Sequence, residues 1–517
     1  MQKILVFLIF IVAPLQVMSQ VIPREGSVLN YRLIGFTFPV DAGANHYQIE
    51  IARGNYNSSD SFKNNIILSP VSKSNKTVIE VPDFGKNYTW RIVYSGRHKT
   101  KSQSALYHFS IATNGRVDTT KMRINILHPA EAHRDDYVFV EGSGTIYDMN
   151  GNPVWCLPDS YGPADKAQDI KFTSQGTITF MIDQTGYEIN YDGKLLWQTP
   201  LQDGVSGDTG SDYYHHEFTR LSNGHYMVLG TQFVWYKRNT VKDSGYYNVT
   251  TDITKHTKYN GGFGMKNRGR FGVIVEFDEK GNVVWSWKTL DYLQASDCVN
   301  YWPKDTSLRY EPHENAFYFD EKNHAVYLCY RQLSRIIKID YPSGKVVGAY
   351  GEIFTPGSSV TGNALFCNQH SIRRSQDGYL YLFNNNICSG MGSLPSIVMM
   401  KEPADAGSGL PATPVVPERV WEYKCTADGP ADDKYVGGGF PSGGVGIELA
   451  DRSMFICMAT DYPKLLIVNR DKEILWSALP EKYDVNDKRW RGIKKTYRAN
   501  IISRTDLEQL IWNAAKK

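Results

Sequence analysis

The sequence predicts an all-β protein, a six-bladed β-propeller preceded by a small N-terminal β-sandwich. Three observations carry this. A hairpin signature recurs six times beyond about residue 120. Short alternating strand patterns, each closed by a turn, fill residues 21–113. Aromatics are abundant, with 33 tyrosines in 517 residues, and such side chains suit the pleated, half-buried surface of a sheet.

The chain opens on a segment set apart from the fold. Lys3 supplies a short basic region, Ile4 to Val17 is apolar, and Val17-Met18-Ser19 has the small-residue form of a cleavage site. Residues 1–19 therefore read as a secretory signal peptide, and the protein is expected to be exported, periplasmic or secreted. No later apolar run approaches the roughly 18 residues a membrane span needs, so none is expected.

In residues 21–113 the strand patterns are Tyr31 to Phe36, Tyr47 to Ile51, Thr77 to Val81, Tyr88 to Val93 and Tyr107 to Ile111. Turn-rich pieces such as Ala42-Gly43-Ala44-Asn45 and Asp83-Phe84-Gly85-Lys86-Asn87 separate them. Alternation with regular turns in so short a span indicates a sandwich. The Tyr88-Thr89-Trp90-Arg91-Ile92 strand after an exposed turn resembles a fibronectin type III module. No catalytic cluster is visible there, and a structural or docking module is the expectation.

Residues 120–517 carry the repeat. Its clearest copies are Ile146 to Trp155, Tyr191 to Trp197 and Phe277 to Trp285. Weaker copies are Ile339 to Val347, Glu418 to Trp421 and Asp471 to Trp476. Asn-Gly or Asp-Gly at the clearest turns makes each copy a hairpin. A lone hairpin cannot bury its apolar face, whereas radial repetition of sheets can, which is the propeller solution. Spacing between copies is uneven, so long loops must leave some blades, and loops on a rigid scaffold commonly carry function. Arg504 to Ala515 has helical periodicity.

Composition narrows the partners. A net charge of +3 with no long single-sign run argues against nucleic acid, which needs a concentrated basic surface. Seven cysteines without a C-x-x-C pair indicate neither a zinc ribbon nor a redox motif. Cys367 and Cys388 bracket one hairpin and form the favoured disulfide, and at least one thiol must stay unpaired. Oligomeric state is open, a homodimer included.

Histidines open three strands of the repeat region. Counted back from the turn glycines Gly224 and Gly378, His216 and His370 hold the same place in their repeats, and His313 opens a third such strand. Arg331 follows on the next strand. Inner strands of a propeller converge on one axis, so these residues can share a pocket although far apart in sequence. Arginine offers a fork of donors to a tetrahedral anion, and imidazole can act as nucleophile or acid–base near neutral pH. Three histidines could instead bind zinc or copper, although a permanent arginine cation nearby would repel a metal. The plainer reading makes each histidine a satisfied core residue. Tyr213 and Tyr214 are candidates for an aromatic pocket wall.

Four strings carry a family resemblance: His215-His216-Glu217-Phe218 with Asn223-Gly224; His313-x-Asn315; Arg331-x-x-Ser334-x-Ile336-Ile337-Lys338-Ile339-Asp340; and Gln369-His370 with Gly378-x-Leu380-x-Leu382-Phe383-Asn384-Asn385. Together they resemble the bacterial arylsulfate sulfotransferases over most of residues 130 to 500. The resemblance implies a six-bladed propeller that moves a sulfuryl group from an aryl sulfate to a phenolic acceptor. The reaction would be ping-pong through a sulfohistidine, with no nucleotide sulfate donor, no cofactor and no metal. It puts the nucleophile on His370 and sulfuryl-binding and acid–base roles on His216, His313 and Arg331, with Asn315 matching a polar neighbour in the His-x-Asn motif; Asn315, His215 and Tyr214 are the candidate substrate contacts. His216 is preferred to His215 on repeat alignment. One departure stands out: the family's Phe-Asp-Asn reads Phe383-Asn384-Asn385 here, which removes a carboxylate near the pocket. The competing expectations are a non-catalytic propeller that binds a sulfated or phenolic ligand, a metal-dependent propeller hydrolase or oxidoreductase, and a surface-interaction protein docked through its sandwich.

Overall fold

A computed structural model of the chain describes residues 21–96, 99–163, 166–200, 213–235, 268–293, 312–351, 364–389, 394–404, 414–425, 443–459, 463–493 and 496–515. The signal-peptide segment and Cys298 lie outside the described residues. The chain divides into two compact units, Met1–Ala112 and Thr113–Lys517.

The first unit holds a seven-stranded sheet and a two-stranded one, Leu33–Thr37 with Lys76–Glu80. The pair His46–Arg53 and Asn87–Gly96 forms the middle of the larger sheet. Phe36 of the small sheet meets Trp90 of the large one edge-on, ring centres 4.8 Å apart. The alternation in the sequence accounts for this, because Phe36, Ile49, Ile51, Trp90 and Ile92 are all fully buried. A short helix, Ser59–Lys63, capped by Ser58, has no counterpart in the sequence reading.

The second unit is a six-bladed β-propeller. Blades 2 to 5 are consecutive four-stranded sheets whose inner strands are Gln168–Phe172, Tyr213–Arg220, Glu314–Asp320 and His370–Arg374. Blade 6 begins at Val445–Glu448 and blade 1 takes its inner strand, Ala499–Ile502, from the far end of the chain. That strand pairs antiparallel with Tyr137–Val140. At the other edge Met122–His128 pairs with Ile474–Asp484 of blade 6. The ring is thus closed twice, and neither closing strand carries the hairpin signature.

The signature leads into or opens the fourth strand of every blade, and all six third strands slip register beside it. Its aromatic has a specific task. The indole N–H of Trp155 donates to the Tyr191 carbonyl of the next blade at 2.7 Å. Trp285 does the same to Pro342 at 2.9 Å, Trp421 to Arg470 at 2.9 Å and Trp476 to Met149 at 3.1 Å. Each of these tryptophans therefore satisfies its N–H across a blade boundary, which the fully buried rings of Trp155 and Trp476 require. After the closing strand comes the helix Arg504–Ala514, capped by Ser503, with Leu507, Leu510, Ile511 and Ala514 on its buried face.

Cys367 and Cys388 form a disulfide, and Cys156, Cys329, Cys425 and Cys457 are buried free thiols. The bridge closes the segment that carries His370. Reducing it is expected to lower stability by about 3 kcal/mol, the usual loop-closure contribution for such a span. Thermal melts with and without reductant check this, and an unchanged melting temperature would refute it.

Candidate active site

Four inner strands share a local irregularity, and the candidate residues sit on it. The ladder slips at Gln168/Lys171, Tyr214/Phe218, Glu314/Ala316 and His370/Arg373. Beside these bulges Asp169, His216, His313 and Ser371 take positive φ of 52°, 65°, 58° and 53°. Left-handed backbone at non-glycine residues is strained by roughly 1–3 kcal/mol each and clusters at functional sites. The bulges re-aim side chains that a regular strand would send elsewhere.

The result gathers histidines from three blades. The His216 ring centre lies 5.5 Å from His313, 5.9 Å from His370 and 4.6 Å from His215. His215 is hydrogen-bonded to His216 and, through Nε2, to Thr231 Oγ1 at 2.7 Å. His370 is fully buried. Arg331 is anchored by its backbone: its N–H donates to the His313 carbonyl at 2.8 Å and its carbonyl accepts from Asn368 at 3.2 Å. Its charge acts on both His370 and Tyr497. Asn315 is buried, and its amide donates to the Gln369 carbonyl at 2.8 Å, tying blade 4 to the residue before His370.

Tyr214 is placed in the core. Its ring packs in a core cluster with Phe218, Val228, Val273 and Phe277, and its hydroxyl donates to the Pro200 carbonyl at 3.2 Å. Two residues apart on a regular strand, Tyr214 and His216 would face the same side. The bulge between them sends one into the core and the other toward His313 and His370. The Tyr213 side chain lies outside the described residues.

Residues absent from the sequence reading complete the site. Tyr497 and Arg498, just before the closing strand, reach His370 from blade 1. The Tyr497 hydroxyl is hydrogen-bonded to His370 Nε2, and Arg498 Nη2 lies 3.3 Å from Nδ1. Behind them is a buried ion network. Arg498 pairs with Asp169 and, at 3.0 Å, with Glu217. Lys171 bridges both carboxylates at 2.7 and 2.6 Å, and Arg373 meets Glu217 at 2.9 Å. Burial raises the Glu217 carboxyl, but Arg373, Arg498 and Lys171 outweigh it and hold the group down at about 2. Glu141, which accepts the Arg498 N–H at 2.8 Å, is pushed up by burial to about 7. With Arg331, the network sets four cations against the carboxyl groups of Asp169 and Glu217. That excess suits an anion.

The same surroundings govern the imidazoles. Desolvation, followed by Arg498, His313, Arg331 and Arg373, holds His370 well below the usual imidazole range. Desolvation and the neighbouring histidines and Arg498 do the same to His216. Both are therefore neutral near pH 7. Among the described residues no three His, Cys, Asp or Glu side chains are grouped to hold a metal.

The substituted Asn384 keeps the acceptor function of a carboxylate. Its Oδ1 accepts from the Cys367 N–H at 2.9 Å and the Asn386 N–H at 3.0 Å, while its amide donates to Ser396 at 3.3 Å. The segment leading to His370 is thus supported without a charge.

A six-bladed propeller whose inner strands bring histidines and arginines onto one anion-suited site defines the class of protein. The chain belongs to the arylsulfotransferase family: the family model described as Arylsulfotransferase (ASST) matches residues 136–248 and 252–403, just over half of the chain. Membership supports arylsulfotransferase activity in general and suits small-molecule substrates. His215, His216, His313, Asn315, Arg331 and His370 fall within the match, whereas Tyr497 and Arg498 lie beyond it. No curated protein sequence matches the chain. Among solved structures, a protein of unknown function from Bacteroides caccae is 12% identical with a TM-score of 0.39, over 71% of this chain and 99% of that one. An auxiliary nutrient binding protein from Bacteroides thetaiotaomicron is 9% identical with a TM-score of 0.34, over 94% and 97%. Apo AztD from Citrobacter koseri is 8% identical with a TM-score of 0.28, over 88% and 98%. These likenesses are too distant to bear on function. Among the described residues no helix is long and apolar enough to cross a membrane.

Proposed function

We propose that the protein transfers a sulfuryl group from an aryl sulfate to a phenol by a ping-pong route through a sulfohistidine at His370, without a nucleotide donor. The observation that carries this reading is a fully buried, neutral His370 within reach of Arg498 and the charge of Arg331. A neutral imidazole keeps a lone pair for attack, and fixed cations stabilise the charge that develops on the sulfuryl oxygens. In the first half-reaction a His370 nitrogen forms a bond to sulfur as the sulfur–oxygen bond to the aryl group breaks, and the bonding pair leaves on the phenolate oxygen. In the second, the oxygen of the acceptor phenol attacks sulfur and the nitrogen–sulfur bond breaks. One proton is given to the departing oxygen and one is taken from the incoming phenol. His216 and His313 are the imidazoles at hand, and His216, held neutral, is suited to take the proton from the acceptor. The protein would act after export, as its N-terminal segment suggests.

The test is to follow release of coloured phenol from p-nitrophenyl sulfate with and without an added phenol acceptor. Acceptor-dependent release and parallel-line kinetics support the reading. Absence of release from folded protein overturns it.

A pH prediction follows from the depressed imidazoles. Attack needs the neutral form. Because the folded His370 titrates below its ordinary value of about 6.5, kcat/KM should stay level as pH falls through 6.5 and decline only below it. A profile with its acid limb above pH 6.5 would contradict this.

A further inference from the structure

Hydrogen-bond accounting around His370 goes a step further, and it rests on the sulfuryl-transfer reading for its chemical consequence. Ser371 is fully buried. Its hydroxyl donates to the Gly444 carbonyl at 2.9 Å, and a carbonyl can only accept. The Ser371 oxygen therefore presents a lone pair to His370 Nδ1, 3.2 Å away, and Nδ1 must supply the proton between them.

The opposite nitrogen gives the same answer. Burial pushes the Tyr497 phenol up, so its oxygen keeps its proton. Among the described residues, His370 Nε2 is the acceptor at hydrogen-bond distance. A proton on Nε2 would leave the buried Tyr497 hydroxyl proton without an acceptor among the described residues. Arg498 Nη2 also approaches Nδ1, at 3.3 Å, but it has the Asn315 carbonyl as an acceptor at 3.2 Å.

The backbone is shaped to hold this chain of bonds. Gly443 and Gly444 have φ of +98° and +90°. A Cβ on Gly443 would come within 2.6 Å of the Tyr497 ring, and one on Gly444 within 2.4 Å of Phe383. The Gly444 N–H in turn donates to the Tyr497 carbonyl at 2.9 Å. The glycine pair therefore clasps both Ser371 and Tyr497 against the histidine.

We propose that Ser371 is the positioning residue that holds His370 as its Nδ1–H tautomer, that Nε2 is the attacking nitrogen, and that Tyr497 is a catalytic residue. In the resting protein the Tyr497 hydroxyl donates to the Nε2 lone pair. As that pair forms the bond to sulfur and the aryl oxygen leaves with its own pair, the hydroxyl loses its acceptor and donates instead to a sulfuryl oxygen. The Nδ1 proton stays in place throughout.

Two measurements on the full-length protein test this. The first is the ¹⁵N shifts of histidine-labelled protein, with His370 assigned by comparison with His370→Ala. The expected pattern is a protonated Nδ1 and an unprotonated Nε2, lost in Ser371→Ala. A protonated Nε2 in the wild type, or no change in Ser371→Ala, overturns the assignment whether or not the protein turns over aryl sulfates. The second is the kinetics of Tyr497→Phe, which keeps the ring. With p-nitrophenyl sulfate, kcat should fall about 100-fold, the usual loss of one oxyanion donor, with KM little altered. An unchanged kcat, or a change in KM alone, overturns the catalytic role of Tyr497. Wild-type protein inert toward aryl sulfate is a different result: it defeats the sulfuryl-transfer reading and the role of Tyr497 with it, and leaves the tautomer to be judged by the shifts.

Discussion

His370→Ala is expected to lower acceptor-dependent release from p-nitrophenyl sulfate by at least about 1000-fold, because removal of a nucleophile leaves only binding and electrostatic stabilisation. The fold should survive. His370 makes its contacts with Ser371, Tyr497 and Arg498 at the mouth of an inner strand, while the strand continues through Ile372 into a separate apolar cluster. Two readouts separate a lost nucleophile from a damaged pocket. Wild-type protein mixed with aryl sulfate and no acceptor should gain the mass of one sulfuryl group, on the peptide that contains His370. The variant should gain none and should still bind the aryl sulfate. A variant that keeps transfer within tenfold of wild type would end the covalent mechanism.

Arg498→Met is expected to damage both stability and activity. Arg498 is buried, with Asp169 and Glu217 on one side and His370 on the other. Removing one partner of a buried ion pair leaves charge uncompensated at a cost of about 3–5 kcal/mol. Lys171 and Arg373 still reach the carboxylates, so the loss should fall near 3 kcal/mol, the lower end. Denaturant unfolding checks it, and a change below about 1 kcal/mol would refute the network as a stabilising unit. The double variant Arg498→Met/Glu217→Gln should recover part of the loss, because it removes an unpaired charge along with its partner. Transfer activity should not recover with it, since the cation beside His370 is still missing. That split distinguishes the scaffold role of Arg498 from its electrostatic one.

Features resting on local chemistry were legible in the sequence. Turn glycines and flanking apolar residues define a hairpin without reference to the rest of the chain, so six copies could be recognised as six blades. The Cys367–Cys388 pair lies within one such hairpin. His216 and His370 could be matched because each sits at a set distance from its own turn, and the propeller geometry then carries them toward one axis. The tryptophans of the signature were visible too, although their task of donating across blade boundaries was not.

Only the tertiary structure decided the rest, and the physical reasons are specific. Strand alternation groups Tyr214 with His216, but a bulge with left-handed backbone at His216 breaks that parity and sends Tyr214 into the core. Tyr497 and Arg498 carry no repeat signature. They reach His370 because ring closure brings the last strand of the chain against Tyr137–Val140 of blade 1, a contact between residues more than 350 apart that no local pattern encodes. Asp169 and Glu217 look in sequence like ordinary strand carboxylates. Their role depends on burial beside Lys171, Arg373 and Arg498: these cations hold Glu217 ionised, and the two arginines, with burial, keep His370 below the usual imidazole range. Residue types and periods thus determined the blades and the histidines, and closure of the ring determined the electrostatics that would let one of those histidines act as a nucleophile.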